Sequence, residues 1–219
     1  MPLRRIRRLV YPMTPTKAPD IVVSRLPLYL RALNAMATEG QKVTSSKELG
    51  ERLGISAAQI RKDLSHFGEF GKQGTGYQIA FLRTKLGKIL RVDREWAVAL
   101  VGMGDIGHAV VRYQGFAGRG FRIALIFDSD PQKVGQIAGD LMILAVDRMA
   151  AEVKARRVQV AMLCLPGQHA QSVTNILVQA GVRSILNYAP VNLSVPAAVR
   201  VQYIDPVIEL QRMSYYLHK

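Results

Sequence analysis

The stretch Trp96–Asp128, WAVALVGMGDIGHAVVRYQGFAGRGFRIALIFD, constrains the fold more than any other part of this chain. Ala97–Val101 is a short, uncharged apolar run that ends directly at a glycine, the pattern of a parallel strand buried on both faces. Gly102, Gly104 and Gly107 then give the spacing G-x-G-x-x-G. In a strand-turn-helix unit the first glycine permits the tight turn, the second admits a pyrophosphate close to backbone, and the third lets helix and strand pack closely. The N–H groups that open the helix face the phosphates, so Gly102, Met103, Gly104, Asp105, Ile106 and Gly107 are candidate cofactor-binding residues. Asp128 follows Gly107 by 21 residues and closes the apolar run Ile123–Phe127. A carboxylate there accepts hydrogen bonds from both ribose hydroxyls and repels a 2'-phosphate, which favours NAD over NADP. A lone G-x-G-x-x-G in a chain with 18 glycines is a weak signal, and the spacing also admits coenzyme A or a loop that holds nothing. The strand before, the helix after and the acid at the right distance favour a dinucleotide.

Composition sets the outer limits. A chain of 219 residues with 49% hydrophobic content holds one large domain or two small ones around a real core. A single cysteine excludes an internal disulfide framework and a Cys-rich zinc site, and the four histidines have no ligand spacing, so no metal site is expected. No apolar run approaches the roughly 18 residues of a membrane span, and the N-terminus lacks the apolar region of a secretory signal. The expectation is a soluble, cytoplasmic protein with no membrane partner. The net charge of +14 is unevenly placed: residues 1–90 carry 16 Lys/Arg against 6 Asp/Glu, and residues 91–219 carry 14 against 10. The basic N-terminal part suits a polyanion, although such a surface also serves solubility alone.

Residues 1–20, with RRIRR and three prolines before Pro19-Asp20 closes the segment, read as a flexible basic tail. A first helix is expected from Ser24 as N-cap, with Pro27 in its first turn, Leu26, Leu30, Leu33 and Ala37 on one face, and Gly40 at its end. A second helix opens at the capping box Ser45/Glu48 and stops at Gly54; a third opens at the capping box Ser56/Gln59. In the third, Ala57, Ile60, Leu64 and Phe67 point inward while Gln59, Arg61, Lys62 and Ser65 point outward. Two short helices joined at Gly54-Ile55 form a helix-turn-helix. The segment GEFGKQGTGYQI, with four glycines around Lys72 and a short strand after them, completes a wing. Residues 21–90 thus read as a winged-helix domain for double-stranded DNA, with Gln59 and Arg61 as base readers and Ser56, Lys62, Ser65 and Lys72 beside them. The competing reading is an ordinary solvated face on a small helical bundle. A closing helix over Phe81–Val92 leads to a boundary near Arg91–Glu95.

Beyond Asp128, Asp147 is expected to cap a helix through Lys154. Val158–Leu165 reads as a strand, Pro166-Gly167 as a turn into a helix from about His169 to Ala180, and Ser184–Ala189 and Val199–Ile204 as two more strands. Such alternation implies an α/β, Rossmann-like parallel sheet over residues 91–204, with a ligand across its C-terminal edge. Cys164, Leu165, Pro166, Asn187, Tyr188, Ala189 and Pro190 come to that edge. Cys164 reads as a small buried residue, since nothing near it in sequence would lower its pKa. The last helix, Val207–Leu217 within residues 205–219, carries Val207, Leu210, Met213 and Leu217 at helical intervals and needs a surface to cover, its own sheet or a second subunit.

From about Ile21 to Leu217 the chain resembles the Rex family of bacterial redox-sensing transcriptional repressors. SRLPLYLRAL, QIRKDLSHFGEFGKQGTGY, LVGMGDIG, YQGF, FDSDPQKVG, ILNYAPVNLSVP and YIDPVIELQRMSYYL look like family blocks and stand in the family's order. The resemblance implies a homodimer whose terminal helix is exchanged into its partner, which binds an inverted-repeat operator when NADH is scarce and is released by NADH. It also implies a coupling network near the nicotinamide, at positions held here by Tyr113, Arg31 and Asp205. One departure is Pro206, where relatives place an aromatic or aliphatic side chain near the ring. NADH and NAD then serve as regulatory ligands and no catalytic residue is expected. The reading from another class is a small NAD-dependent oxidoreductase. Against it, no substrate domain follows the Rossmann unit, and no His, Lys or Tyr is arranged as proton donor.

Overall fold

In the computed structural model, which describes residues 18–71 and 76–217, the chain divides between Asp93 and Arg94 into two units. The first runs α1 (Asp20–Thr38), β1 (Val43–Thr44), α2 (Ser46–Leu53), α3 (Ala57–Ser65), β2 (Tyr77–Gln78) and α4 (Ile79–Leu90). The basic tail lies, as far as residue 17, outside the described residues, as does Lys72 at the centre of the wing.

α1 starts four residues ahead of the expected Ser24. Pro19 occupies the N-cap position and Asp20 the first turn, where a negative charge suits the helix dipole. Ser24 is no cap: its hydroxyl donates back to the Ile21 carbonyl at 2.9 Å. Pro27 lies in the helix interior, on the solvent side next to exposed Leu28, and the residue four positions before it, Val23, is exposed too. The carbonyl that Pro27 leaves unpaired is therefore on the wet side of the helix, where the penalty is smallest. Val22, Leu26, Tyr29, Leu33 and Met36 form the buried stripe of α1. Leu26, Tyr29, Leu33 and Met36 pack with Leu49, Ile60, Leu64, Ile79, Leu82 and Leu86 into one core; Leu30 and Ala37 flank it, half-buried.

The caps expected at Ser45 and Ser56 form, since Ser45 Oγ accepts from Glu48 N–H at 3.0 Å and Ser56 Oγ from Gln59 N–H at 3.2 Å. Neither capping box closes. The Glu48 carboxylate takes hydrogen bonds from Gln41 and Thr44 instead, and the Gln59 amide donates to Asp63. Gly54 ends α2 in the left-handed region at φ 67°. The close approach that sets the turn occurs earlier, at Gly50, where a Cβ would stand 2.3 Å from the Ile55 carbonyl oxygen. β1 is a strand that periodicity does not reveal; it pairs antiparallel with β2, Val43 opposite Gln78. α4 starts at Ile79, two residues earlier than expected, and ends at Leu90 with Arg91 left-handed. Phe81, expected at its start, is exposed.

The second unit runs β3 (Trp96–Val101), α5 (Asp105–Arg112), β4 (Phe121–Asp128), β5 (Ile137–Ala138), β6 (Leu141–Ala145), α6 (Met149–Ala155), β7 (Val160–Leu163), α7 (Gly167–Ala180), β8 (Ser184–Asn187), β9 (Arg200–Tyr203) and α8 (Pro206–Ser214). Its seven strands form one sheet in the order β5-β6-β4-β3-β7-β8-β9, parallel except for β5. Alternate residues serve opposite faces. Ala99, Val101, Leu125, Phe127 and Leu163 pack against α6 and α7, while Val98, Leu100, Ile126 and Met162 pack with Val110 of α5. The hairpin β5-β6 is not expected from sequence, and Asp147 does not cap a helix: it sits in a 3-10 turn, Val146–Arg148, that runs into α6 without a side-chain cap. The chain departs from β3 to one side through β4 and β6, then returns to its other side at β7. That reversal puts the topological switch point, where sheets of this kind hold their ligands, at the C-terminal ends of β3 and β7. No helix among the described residues is long and apolar enough to cross a membrane.

The Gly50 contact carries a consequence for stability. Gly50→Ala should destabilise the first unit by about 1–3 kcal/mol, because the obstructing atom is backbone and must be displaced. Urea denaturation followed by far-UV circular dichroism checks this.

Candidate functional site

The three glycines of the loop after β3 have three different environments. Gly102 stands at φ 99°, and a Cβ there would lie 2.3 Å from the carbonyl oxygen of Cys164 on the neighbouring β7 loop. At Gly107 a Cβ would lie 2.1 Å from Gly102 O, so α5 and the loop touch backbone to backbone. Gly104 is the contrast: a Cβ there meets nothing within 4 Å. Packing within the chain explains the first and third glycines but not the second, which opens onto empty space beside the first turn of α5. The N–H groups of that turn have no carbonyl to pair with inside the helix, so the space is one an anion fits. Asp105 and Ile106 are exposed on the same turn. Met103 is fully buried and fills the core under α5, so its contribution is backbone: its N–H donates to Asp128 Oδ2 at 2.6 Å.

Asp128, only 7% exposed at the end of β4, also accepts from Asp130 N–H through Oδ1 at 2.8 Å. Lys133 Nζ stands 3.7 Å from Asp128 Oδ2 and 3.8 Å from Asp130 Oδ2. Asp130 and Lys133 are not singled out by the sequence reading, and the DPQK turn that carries them is the available signal. The carboxylate is thus a fixed acceptor at the strand end, with its lone pairs only partly used.

At the switch point, Cys164 N–H donates to Val101 O at 2.8 Å, which sets Cys164, Leu165 and Pro166 beside the glycine loop. Burial pushes the Cys164 thiol up to about 12, so it is neutral and unreactive at physiological pH. Asn187, almost wholly buried, spends its side chain on its own loop: Nδ2 donates to Ala189 O and Val191 O, and Oδ1 accepts from Ala189 N–H, each at 3.0 Å. Its observed work is to shape the segment that carries Ala189 and Pro190. Gln171, which sequence reasoning misses, adds a second pin from α7 through its contacts with Ser194 N–H and O; Tyr203 OH holds Leu193 N–H at 2.9 Å. Ala189 is buried and Pro190 exposed.

Of the expected coupling residues, Arg31 is exposed on α1 of the first unit, and Tyr113 and Asp205 belong to the second. Tyr113, 56% exposed, ends α5 and meets Phe116 edge to face at 5.2 Å. Asp205 caps α8, its Oδ1 accepting from Val207 N–H at 2.9 Å. Pro206 then falls at the first helical position, where a missing N–H costs nothing.

On the first unit, Ser56, Arg61, Lys62 and Ser65 lie on the α3 segment, with Arg61, Lys62 and Ser65 exposed and Gln59 in reach of the helix interior. Arg61 Nη1 donates to Ser46 Oγ at 3.0 Å, tying the start of α2 to α3. Ser65 Oγ donates to the Lys62 carbonyl. The two ends of the wing come together, since a Cβ at Gly71 would lie 2.6 Å from Gly76 O. A residue absent from the expected set dominates this unit. Asp63 is fully buried on α3 and accepts from Arg25 Nε, Arg25 Nη2, Tyr29 OH and Gln59 Nε2. Burial alone would raise its pKa, but the hydrogen bonds from Arg25, Tyr29 and Gln59 outweigh that and hold it below the usual carboxylate range. The signal is in the spacing: Asp63 follows Ile60 by three residues, on the inward register of the helix.

Comparison with known proteins matches both units. Residues 17–65 fit a family model described as "Putative DNA-binding protein N-terminus", and residues 93–191 fit one described as "CoA binding domain". A "Redox-sensing transcriptional repressor Rex" from Chloroflexus aurantiacus is 50% identical over 199 residues, 91% of this chain and 94% of that protein. Among solved structures, RSP in complex with beta-NAD+ and operator DNA aligns with a TM-score of 0.87 at 35% identity, over 91% of this chain and 92% of that one. RSP in complex with beta-NADH aligns at 0.84 and 33%, over 92% and 95%.

The glycine geometry separates folding from ligand binding. Gly104→Ala should fold with stability within about 0.5 kcal/mol of the parent and lose nucleotide binding, whereas Gly107→Ala should unfold at lower temperature. Thermal denaturation paired with NADH fluorescence titration distinguishes the two.

Proposed function

The chain belongs to the Rex family of redox-sensing transcriptional repressors, and from that premise we propose that it binds operator DNA through α3 and the wing and is released when NADH binds at the switch point between β3 and β7. One observation carries the reading: a glycine loop open at Gly104, with a fixed acceptor at Asp128, shares a chain with a helix whose exposed face bears Arg61, Lys62 and Ser65. A relative has been solved with NAD+ and operator DNA, and again with NADH, which supports both ligands for this chain.

In this reading residues 21–90 hold DNA, residues 91–204 hold NAD(H), and residues 205–219 join two copies. Gly104 and the first turn of α5 seat the pyrophosphate, and Asp128 takes the ribose hydroxyls of a nucleotide without a 2'-phosphate. Cys164, Leu165, Pro166, Ala189 and Pro190 line the end where the nicotinamide lies. The ring is cationic in NAD and neutral in NADH, so an apolar pocket favours the reduced form, because an unpaired charge is costly to bury. Homodimerisation is supported by α8, on which Val207, Ile208, Leu210 and Met213 are each more than half exposed, a surface suited to a second copy. Arg31, Tyr113 and Asp205 couple the two sites. The chain acts as a regulator in the cytoplasm, where both its ligands are found. The family model described as CoA binding gives coenzyme A a specific standing; against it, the Asp128 carboxylate suits a free ribose diol.

Titration of NADH, NAD+ and coenzyme A against the protein bound to a labelled duplex from its own promoter tests the proposal. NADH should release the duplex at far lower concentration than NAD+. Release by coenzyme A with none by NADH would overturn the ligand assignment, and no retention of the duplex at all would overturn the DNA reading.

A further inference from the structure

α3 carries an acid where a core residue belongs. The Asp63 carboxylate is met at Oδ2 by Arg25 Nε and Tyr29 OH, both at 2.5 Å, and at Oδ1 by Arg25 Nη2 and Gln59 Nε2, both at 2.7 Å. Buried ion pairs of this kind add little stability over apolar packing of the same volume, so stability alone gives a weak reason for one inside this helix. Its geometry supplies a better one. A carboxylate only accepts hydrogen bonds, so Gln59 must turn its NH2 toward Asp63. The other end of the amide, Oε1, then has to face away. Gln59 itself is half-buried, not sealed in the core, so Oε1 is the end of the amide left to serve as an acceptor beyond Asp63.

We propose that Asp63 is a specificity-determining residue: by holding Gln59 Nε2 it fixes Oε1 as the outward acceptor, so that α3 selects adenine or cytosine at the operator position Gln59 meets. Those two bases offer exocyclic amine donors in the major groove, whereas guanine O6 and thymine O4 would place an acceptor against an acceptor. Arg25 and Tyr29 serve from α1 as positioning residues that keep the carboxylate in place and charged. The inference rests on the reading of α3 as the recognition helix.

Selection from a duplex library randomised over the half-site, read for the wild-type protein, Gln59→Ala and Asp63→Asn, tests it. The wild type should prefer adenine or cytosine at one position by about tenfold, and Gln59→Ala should flatten that position alone. In Asp63→Asn the introduced amide keeps its oxygen on Arg25 Nε and Tyr29 OH and puts its NH2 where Oδ1 stood, so Arg25 Nη2 must swing aside and Gln59 must turn its own amide over; the same position should then favour guanine or thymine. Retention of the wild-type preference in Asp63→Asn, or no change at any position in Gln59→Ala, overturns the inference. A wild-type protein that selects no sequence overturns the DNA-binding reading itself. A second measurement avoids any loss of fold in the variants. In the wild-type protein with bound operator, the Gln59 side-chain amide should keep one proton slow to exchange with solvent by NMR; fast exchange of both protons contradicts the proposal.

Discussion

The proposed nucleotide site depends on one buried hydrogen bond, from Met103 N–H to the Asp128 carboxylate at 2.6 Å. It joins the glycine loop after β3 to the end of β4, so the phosphate seat and the proposed ribose acceptor are positioned as one piece. The charge on Asp128 strengthens the bond, and the low exposure of that carboxylate keeps solvent from competing for it. Gly102 and Gly107 allow the loop to lie against β7 and α5 without a side chain in between, and Met103 anchors it from below with a fully buried thioether.

The first unit repeats this logic with different chemistry. Asp63 draws donors from α1 and from its own helix, so the placement of α3 on α1 and the orientation of Gln59 share one acceptor. Ser46 and Arg61 tie the start of α2 to the exposed face of α3. In both units a buried carboxylate organises the elements that carry the proposed site.

Much of this is legible in sequence, and the misses have a common cause. The glycine triplet can be read because Gly102 and Gly107 answer packing requirements no other residue meets, with Gly104 at the fixed spacing between them, and the caps at Ser45 and Ser56 because a hydroxyl three residues before its target N–H is a local pattern. The start of α1 is displaced from its expected place because Ser24 and Pro27 imitate a cap and a first-turn proline, while the exposed Val23 makes an interior proline tolerable. β1, with two residues, and the hairpin β5-β6 are too short to carry a period. Asp63, Asn187 and Gln171 escape or mislead a sequence reading because their partners lie elsewhere in the chain or on turning backbone, and periodicity registers only the face a residue occupies. Pro206, a departure from the family pattern, stands at a first helical position, where proline fits the backbone.

We propose that the nucleotide and DNA sites of this chain exclude one another through two states of a dimer. Reversal of such an equilibrium from 99:1 to 1:99 needs a differential affinity of about 5.5 kcal/mol, or roughly half that from each of two nucleotide sites. Linkage then requires the effect to be reciprocal. The most direct measurement is NADH affinity by calorimetry, with and without saturating operator duplex. DNA should weaken NADH binding by the factor by which NADH weakens DNA binding; equal NADH affinities in the two conditions would rule out mutual exclusion.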